Sequence, residues 1–239
     1  MSCSILLIGL FIYFERNPKT QLIGFDIYKN RVFTFSTIAM FLVFISLASI
    51  TILMPFFLEH VKLLKPHEVG LFLMVIPICS FVISPLAGYL SDKTESRYIS
   101  TFGILLMLMG IYFLTYLSAA TSSLQIVLTL ILPGAGMALF ITPNTSVIMG
   151  SARKKSLGIA AGINAATRTL GLALGVGISM ALFEFFQSRN VLGSSDSIKA
   201  FVESYQIVYY YIILLIIPAL LFSWYRGNEN ANKTATVDN

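Results

Sequence analysis

The stretch GYLSDKTESRY, residues 88–98, interrupts two long apolar segments with a cluster of four charged side chains. These are Asp92, Lys93, Glu95 and Arg97. The residues on both sides are almost entirely hydrocarbon over lengths that exceed any ordinary buried strand. A short charged interruption of this kind is typical of a turn between two helices that cross a lipid bilayer, because charges are excluded from the hydrocarbon core.

The composition of the whole chain supports a lipid environment. Hydrophobic residues make up 56% of the 239 residues and charged residues only 11%, whereas a soluble domain carries about 25% charged residues. The net charge of +5 comes from basic residues in short clusters between apolar segments. That pattern indicates membrane topology rather than a nucleic-acid-binding face, so we expect membrane lipid and no nucleic acid as a partner.

Six segments reach the length of about 20 apolar residues that a membrane-spanning helix needs. They are residues 33–58, 69–90, 99–117, 124–149, 157–186 and 205–225. The predicted fold is therefore an all-α, polytopic membrane bundle. We assign residues 33–226 to this bundle, 1–14 to the end of a truncated transmembrane helix, 15–32 to a cytoplasmic linker and 227–239 to a cytoplasmic tail.

The distribution of lysine and arginine predicts the orientation. Most of the 16 basic residues fall in alternate loops, and the loop that contains Lys93 and Arg97 is one of them. Because cytoplasmic loops are enriched in basic residues, we place these loops and the C-terminus in the cytoplasm. The expected location is a cell membrane, and a bacterial cytoplasmic membrane in particular.

The charged turn at residues 88–98 has two interpretations. It is either a simple charged hairpin that follows the positive-inside rule, or a latch that holds the cytoplasmic face closed in one conformation. In the second interpretation Asp92 precedes a helix N-terminus, where the helix dipole favours a carboxylate. Lys93 and Arg97 would pair with Asp92 or with helix-end carbonyls, and Gly88 would let two helices approach closely.

The same turn resembles motif A of the major facilitator superfamily, a pattern of Gly-x-Leu-x-Asp-basic-x-Gly-x-basic. Gly88, Leu90, Asp92, Lys93 and Arg97 match this pattern. Glu95 occupies the position where the second glycine is usual, which leaves the geometry of the turn open.

Two further stretches resemble the fourteen-helix EmrB/QacA-like drug:proton antiporters within that superfamily. They are LIGFDIYKNRVF, residues 22–33, and GIAAGINAATRTLGLALGVGISMALF, residues 158–183. The resemblance implies the C-terminal six-helix half of a major facilitator fold, preceded by the end of another helix. It further implies proton-coupled export of hydrophobic small molecules by alternating access. The partner would be a missing N-terminal half or another copy of this chain.

Three polar residues inside or near the predicted spans are candidates for a substrate or proton pathway. Arg168 is the one charge well inside a span, which makes function the default hypothesis, and the superfamily has a basic residue near this position. A structural role in binding backbone carbonyls is the alternative. Asn144 has the chemistry to bind either substrate or a neighbouring helix. Glu184 is the one acidic residue within a span, close to its outer end.

The fifth span also contains two GxxxG pairs, Gly158/Gly162 and Gly171/Gly175. Small residues at this spacing allow close packing of helix backbones, so we assign these four glycines to helix packing.

The sequence contains no motif for a metal site, a cofactor site or catalysis, and we expect no enzyme activity. The function hypothesis is a transporter or part of one. The alternative is a truncated, non-transporting membrane protein that acts as a helix-packing module.

Overall fold

The computed structural model describes residues 25–152, 156–193 and 197–227, and within these ranges the chain is helical without a strand. One turn of 3-10 helix, Phe25–Lys29, comes first. Seven α-helices follow: α1 (Arg31–His60), α2 (Pro66–Leu73), α3 (Val75–Lys93), α4 (Ser96–Leu114), α5 (Ser123–Gly150), α6 (Leu157–Gly193) and α7 (Ser197–Tyr225).

Six helical segments of the described chain are long and apolar enough to cross a membrane, with α2 and α3 together forming one of them. The predicted all-α membrane bundle with six spans is therefore confirmed. Five of the six segments are longer than the predicted spans, whereas α4 has the predicted length of 19 residues but begins and ends three residues earlier than predicted. The 30 residues of α1, for example, extend about 45 Å, against about 30 Å for the hydrocarbon core, so both of its ends reach the interfacial regions.

The second span is divided at Met74, between α2 and α3. Pro77 explains the division, because its nitrogen carries no hydrogen and cannot bond to the carbonyl of Leu73. Its position in the first turn of α3 is one where a helix does not need that hydrogen bond. Pro133 and Pro143, in contrast, lie inside α5 without ending it.

Four helices form a row in the order α3, α5, α1, α6, since each contacts the next. The remaining long helices, α4 and α7, contact each other, α4 packs on α5, and α7 packs on α1 and α6, while the short α2 contacts α1 and α3. Helix α1 is the most enclosed, with 67% of its most apolar stretch buried, whereas the corresponding value for the span of α2 and α3 is 6%. The hydrophobic core therefore surrounds α1, and α3 lies at one end of the row.

Glycines set the close contact between α4 and α5. A Cβ atom on Gly103 would lie 2.6 Å from the backbone nitrogen of Phe140 and 2.7 Å from the carbonyl oxygen of Gly136. A Cβ on Gly136 would lie 2.5 Å from the carbonyl oxygen of Gly103. Further along the same pair of helices, a Cβ on Gly110 would overlap the ring of Pro133. The two backbones touch directly, so no larger residue fits along this seam.

Polar contacts fix both ends of the bundle. The side chain of Asn30 caps α1 by accepting a hydrogen bond from the backbone nitrogen of Val32 at 3.0 Å, and it donates to the carbonyl of Ser151 at 3.1 Å. At the opposite end the Lys62 ammonium donates to the carbonyls of Ala119 and Thr121. Each contact joins one end of α1 to an end of α5 or to the loop before it.

Parts of the predicted division of the chain lie outside the described residues. These parts are residues 1–14, the first portion of the 15–32 linker and the tail beyond residue 227. Their assignments stay predictions.

Candidate functional site

The charged turn joins α3 to α4 at one end of the bundle, which we call the basic end because it carries Arg31, Lys93, Arg97 and Arg226. Helix α3 ends at Lys93, and Thr94 and Glu95 are both extended, with φ values of −128° and −63°. Glu95 thus has a backbone conformation that any residue adopts, so the turn has no need of the glycine usual in the motif. The Ser91 and Ser96 hydroxyls, 3.1 Å apart, close the turn.

The interpretation of Asp92 as a residue just before a helix N-terminus is wrong. Asp92 lies in the last turn of α3, and the residue directly before α4 is Glu95. The Asp92 side chain is exposed. Lys93 forms no ion pair with Asp92 in the structure; its ammonium lies 4.4 Å from the centroid of the Tyr89 ring.

The carboxylate that Arg97 contacts belongs to Glu95, with 2.6 Å between Nε and Oε2. The same guanidinium donates a hydrogen bond to the Tyr98 hydroxyl at 2.8 Å and lies 6.0 Å from the Trp224 ring of α7. Arg97 therefore links the turn to α7. The expected partner of Arg97 is Asp92, but Arg97 pairs with Glu95, the residue that stands where the motif usually has its second glycine.

Gly88 and Leu90 are both half-buried in the last part of α3. A Cβ on Gly88 would lie 3.9 Å from the Thr142 side chain of α5, which is an ordinary contact. The tight approach of α3 to α5 occurs instead at Gly134, where a Cβ would lie 2.9 Å from the Ile76 carbonyl oxygen.

A buried polar cluster lies next to the turn, and Asn144 is at its centre. Asn144 is completely buried in α5 and donates to the carbonyl of Ser36 in α1 at 3.1 Å. Its Oδ1 accepts a hydrogen bond of 2.8 Å from Nη1 of Arg226, whose Nη2 lies 3.4 Å from the Ser100 hydroxyl of α4. Of the two roles considered for Asn144, substrate binding or helix bonding, the contacts show the second.

Sequence reasoning missed Arg226, which is only 2% exposed. A basic residue directly after an apolar span normally indicates an interface anchor in water, and nothing in its local sequence marks it as buried. Its partners are 82 and 126 residues away in the chain. Only the packing of α7 against α4 brings them together. Ser223 of α7 strengthens the same contact through a hydrogen bond of 3.0 Å to Thr101.

Arg168 lies at the middle depth of the bundle. Its guanidinium carbon is 5.0 Å from the ring centroid of Phe44, which is near the centre of α1. The side chain is half-buried and makes no hydrogen bond or ion pair with another described residue. Asn164 lies one helical turn earlier, is 7% exposed, and its Oδ1 also has no hydrogen-bond partner among the described residues. Because they are four residues apart, the two side chains lie on the same face of α6, and we call them the polar pair.

Glu184 is exposed on α6, well beyond Arg168 in the direction away from the basic end. The structure does not bring it near Asn144 or the charged turn, and its role in a proton pathway stays a prediction.

The two GxxxG pairs of α6 have different surroundings. A Cβ on Gly171 would lie 2.8 Å from Cβ of Phe44, and one on Gly175 would lie 2.5 Å from the carbonyl oxygen of Ile45, so this pair lies directly against α1. Gly158 and Gly162 have no atom within 4 Å of such a Cβ. Their assignment to helix packing stays a prediction that requires a partner beyond the described residues.

The sequence matches the family model of the Major Facilitator Superfamily over residues 36–238. The match covers five of the six spans completely and the first from residue 36 onward. The chain belongs to the Major Facilitator Superfamily. The resemblance at the charged turn is thus confirmed at the level of the superfamily, whose members are membrane transporters.

Similar members of the superfamily are bacterial proteins. The chain is 28% identical to the uncharacterized transporter YebQ of Escherichia coli over 76% of its length. It is 29% identical to the riboflavin transporter RibZ of Clostridioides difficile over 69% of its length, and 27% identical to the methyl viologen resistance protein SmvA of Salmonella typhimurium over 84%. The aligned parts amount to 40%, 36% and 40% of these relatives, so the chain spans about two fifths of their length.

Proposed function

We propose that this chain is the C-terminal six-helix half of a proton-coupled multidrug efflux antiporter that works by alternating access. The observation that supports the proposal is the pair of exposed helices at the two ends of the row. Only 6% of the most apolar stretch of α2 and α3 is buried, and only 22% of that of α6. Superfamily members bind substrate between two six-helix halves, and these faces suit a second half.

The small residues on α6 support docking of a partner helix there. Gly158 and Gly162 are exposed, and a Cβ on either would meet no atom of the described chain. Ala161, Ala165 and Ala166 are also exposed on this helix. A surface of small side chains permits the close backbone contact that drives helix association where lipid removes the hydrophobic driving force. In this proposal the partner is an N-terminal six-helix half; a second copy of the chain is the alternative, and efflux from cells that contain this chain alone would favour it.

The polar pair of Arg168 and Asn164 gives the proposed substrate pathway a site at middle depth. An unpaired guanidinium in the hydrocarbon region is costly, and a cavity between two halves would provide water or a polar partner. The described acidic residues lie outside this depth. They are Asp26, Glu59, Glu68, Asp92, Glu95, Glu184 and Glu203. The proton-carrying acid is therefore assigned to the other half.

The names of the relatives support the substrate class and the location. One is described as a riboflavin transporter and another as a methyl viologen resistance protein; both compounds contain flat aromatic rings. We accordingly propose amphipathic, hydrophobic compounds as substrates. We place the protein in a bacterial cytoplasmic membrane with the basic end and the C-terminus in the cytoplasm, following the positive-inside rule.

Co-expression of the halves tests the proposal. The chain is produced in an efflux-deficient bacterial strain together with an N-terminal six-helix half from one of the named relatives, and ethidium efflux is followed by fluorescence. We expect efflux from cells that contain both halves and none from cells that contain either half alone. A proton uncoupler should abolish it. Stable, co-purifying halves without efflux would contradict the transporter proposal and support the helix-packing alternative.

A further inference from the structure

A groove between α1 and α7 opens on the surface at the basic end. It has a volume of about 350 Å³ and is lined by Arg31, Phe35, Pro218, Leu221, Phe222 and Tyr225. Leu221 is 50% exposed and Tyr225 60% exposed, so the groove is accessible from outside the bundle. Neither the buried cluster around Asn144 nor the polar pair on α6 contributes to it.

The lining of the groove changes with depth. Arg31 is the first residue of α1 and Tyr225 the last of α7, so both lie at the interfacial end of the groove. Pro218 lies seven residues earlier in α7, which places it about 10 Å deeper. The residues between these levels are hydrocarbon or aromatic. The groove is thus cationic at its entrance and apolar inside.

Aromatic contacts hold the cation at the entrance. The guanidinium carbon of Arg31 lies 5.0 Å from the ring centroid of Phe35. The ring of Phe35 is in turn packed edge to face on Phe222 of α7, with 5.3 Å between the centroids. Arg31 is exposed and forms no ion pair within the described part of the chain. The guanidinium lies over the Phe35 ring, so the N–H groups along its edge can still donate hydrogen bonds to an anion.

We propose that this groove is a binding site for an anionic phospholipid. Arg31 binds the phosphate of the headgroup, and one acyl chain lies in the groove against Phe222, Pro218 and Leu221. The charges are complementary, and a guanidinium binds phosphate through two parallel hydrogen bonds. Basic pockets between membrane helices are known to hold anionic headgroups by this combination of charge and apolar surface. The proposal does not depend on transport.

Lipid binding to the purified full-length chain tests the site. The protein in a neutral detergent is titrated with phosphatidylglycerol or with phosphatidylcholine of the same acyl chains, and bound lipid is counted by native mass spectrometry. We expect phosphatidylglycerol to bind at least tenfold more tightly. Arg31→Gln should reduce this preference at least fivefold, whereas Arg31→Lys should retain most of it because the charge remains.

Two variants separate the groove from general electrostatic attraction. Lys65→Gln removes one exposed positive charge at the opposite end and should leave the preference unchanged. Leu221→Trp keeps every charge but fills the groove, and it should weaken phosphatidylglycerol binding to the level of Arg31→Gln. Equal binding of the two lipids, as expected if another part of the chain or a second copy covers the groove, would overturn the proposal. So would a Leu221→Trp variant that binds as tightly as the unmodified protein.

Discussion

Arg226 carries a positive charge into an almost fully enclosed site, where it holds together residues from three helices. The bond to Asn144 is 2.8 Å long, and Asn144 also bonds to α1 through the Ser36 carbonyl. Removing one member of such a cluster leaves individual buried polar atoms of the others unsatisfied, and that loss exceeds the net gain from forming an ordinary hydrogen bond. The side chain of Asn144 therefore contributes more to stability than its size indicates.

Replacement of Asn144 tests this interpretation. We expect Asn144→Ala to lower the free energy of unfolding in detergent by about 3 kcal/mol, because Arg226 and the Ser36 carbonyl lose a partner. Asn164→Ala is the matched control, since Asn164 is also buried but its Oδ1 accepts no hydrogen bond in the described chain; its loss should stay within about 1 kcal/mol. Denaturant unfolding followed by circular dichroism measures both, and equal losses would show that the cluster has no special role.

At the scale of the helices, the sequence predicted the elements well but their contacts poorly. All six spans follow from lengths of apolar residues. The sequence motifs pointed to Gly88 of the charged turn and to the GxxxG pairs as the sites of close helix packing. The closest contact of α4 with α5 depends instead on Gly103 and Gly136, which belong to no local pattern. Whether a glycine is needed for helix packing depends on the atoms of the neighbouring helix that face it. The sequence around the glycine does not show which atoms those are.

Gly103→Ala should therefore disrupt the bundle. The new methyl group would lie 2.6 Å from a backbone nitrogen and 2.7 Å from a backbone oxygen of α5, so the helices must separate, at a cost of about 1–3 kcal/mol. Gly177→Ala is the control, because its Cβ has no atom within 4 Å and alanine favours the helix by up to about 1 kcal/mol. The midpoint of thermal unfolding in detergent should fall for the first variant and stay or rise for the second.

For the whole molecule, the exposed faces of α3 and α6 predict a missing partner. Composition and length were sufficient to predict a membrane bundle and the motif to predict the superfamily, because these properties are local in the sequence. The buried position of Arg226 and the separate surroundings of the two glycine pairs were not predictable, since both depend on which helices become neighbours. Helix α6 contacts α1 at Gly171 and Gly175, whereas a Cβ on Gly158 or Gly162 would meet no other described helix. This difference is visible only in the assembled bundle.

Gly162→Trp tests whether the N-terminal half packs against α6 at Gly158 and Gly162. No described atom lies within 4 Å of a Cβ at Gly162, and the position is exposed, so we expect the variant to be as stable alone as the unmodified chain. It should nevertheless abolish co-purification with the N-terminal half, because the indole would keep the partner backbone away. Leu214→Trp, at a position 67% exposed on α7, should leave co-purification intact. Pairing of the Gly162→Trp variant would place the partner elsewhere.

Because Arg226 follows the last helix, it is synthesised after all of the residues that it contacts in the buried cluster. Ser36, Ser100 and Asn144 enter the bilayer early, yet the guanidinium that joins α4 and α5 is synthesised more than 80 residues after Asn144. Until the ribosome has released that segment, the Asn144 side-chain oxygen lacks the partner that it has in the finished bundle, while its amide nitrogen bonds to the Ser36 carbonyl. Completion of the basic end is thus a late step of insertion, and a ribosome stalled within α7 would leave Asn144 and Ser100 without the guanidinium that they share in the finished bundle.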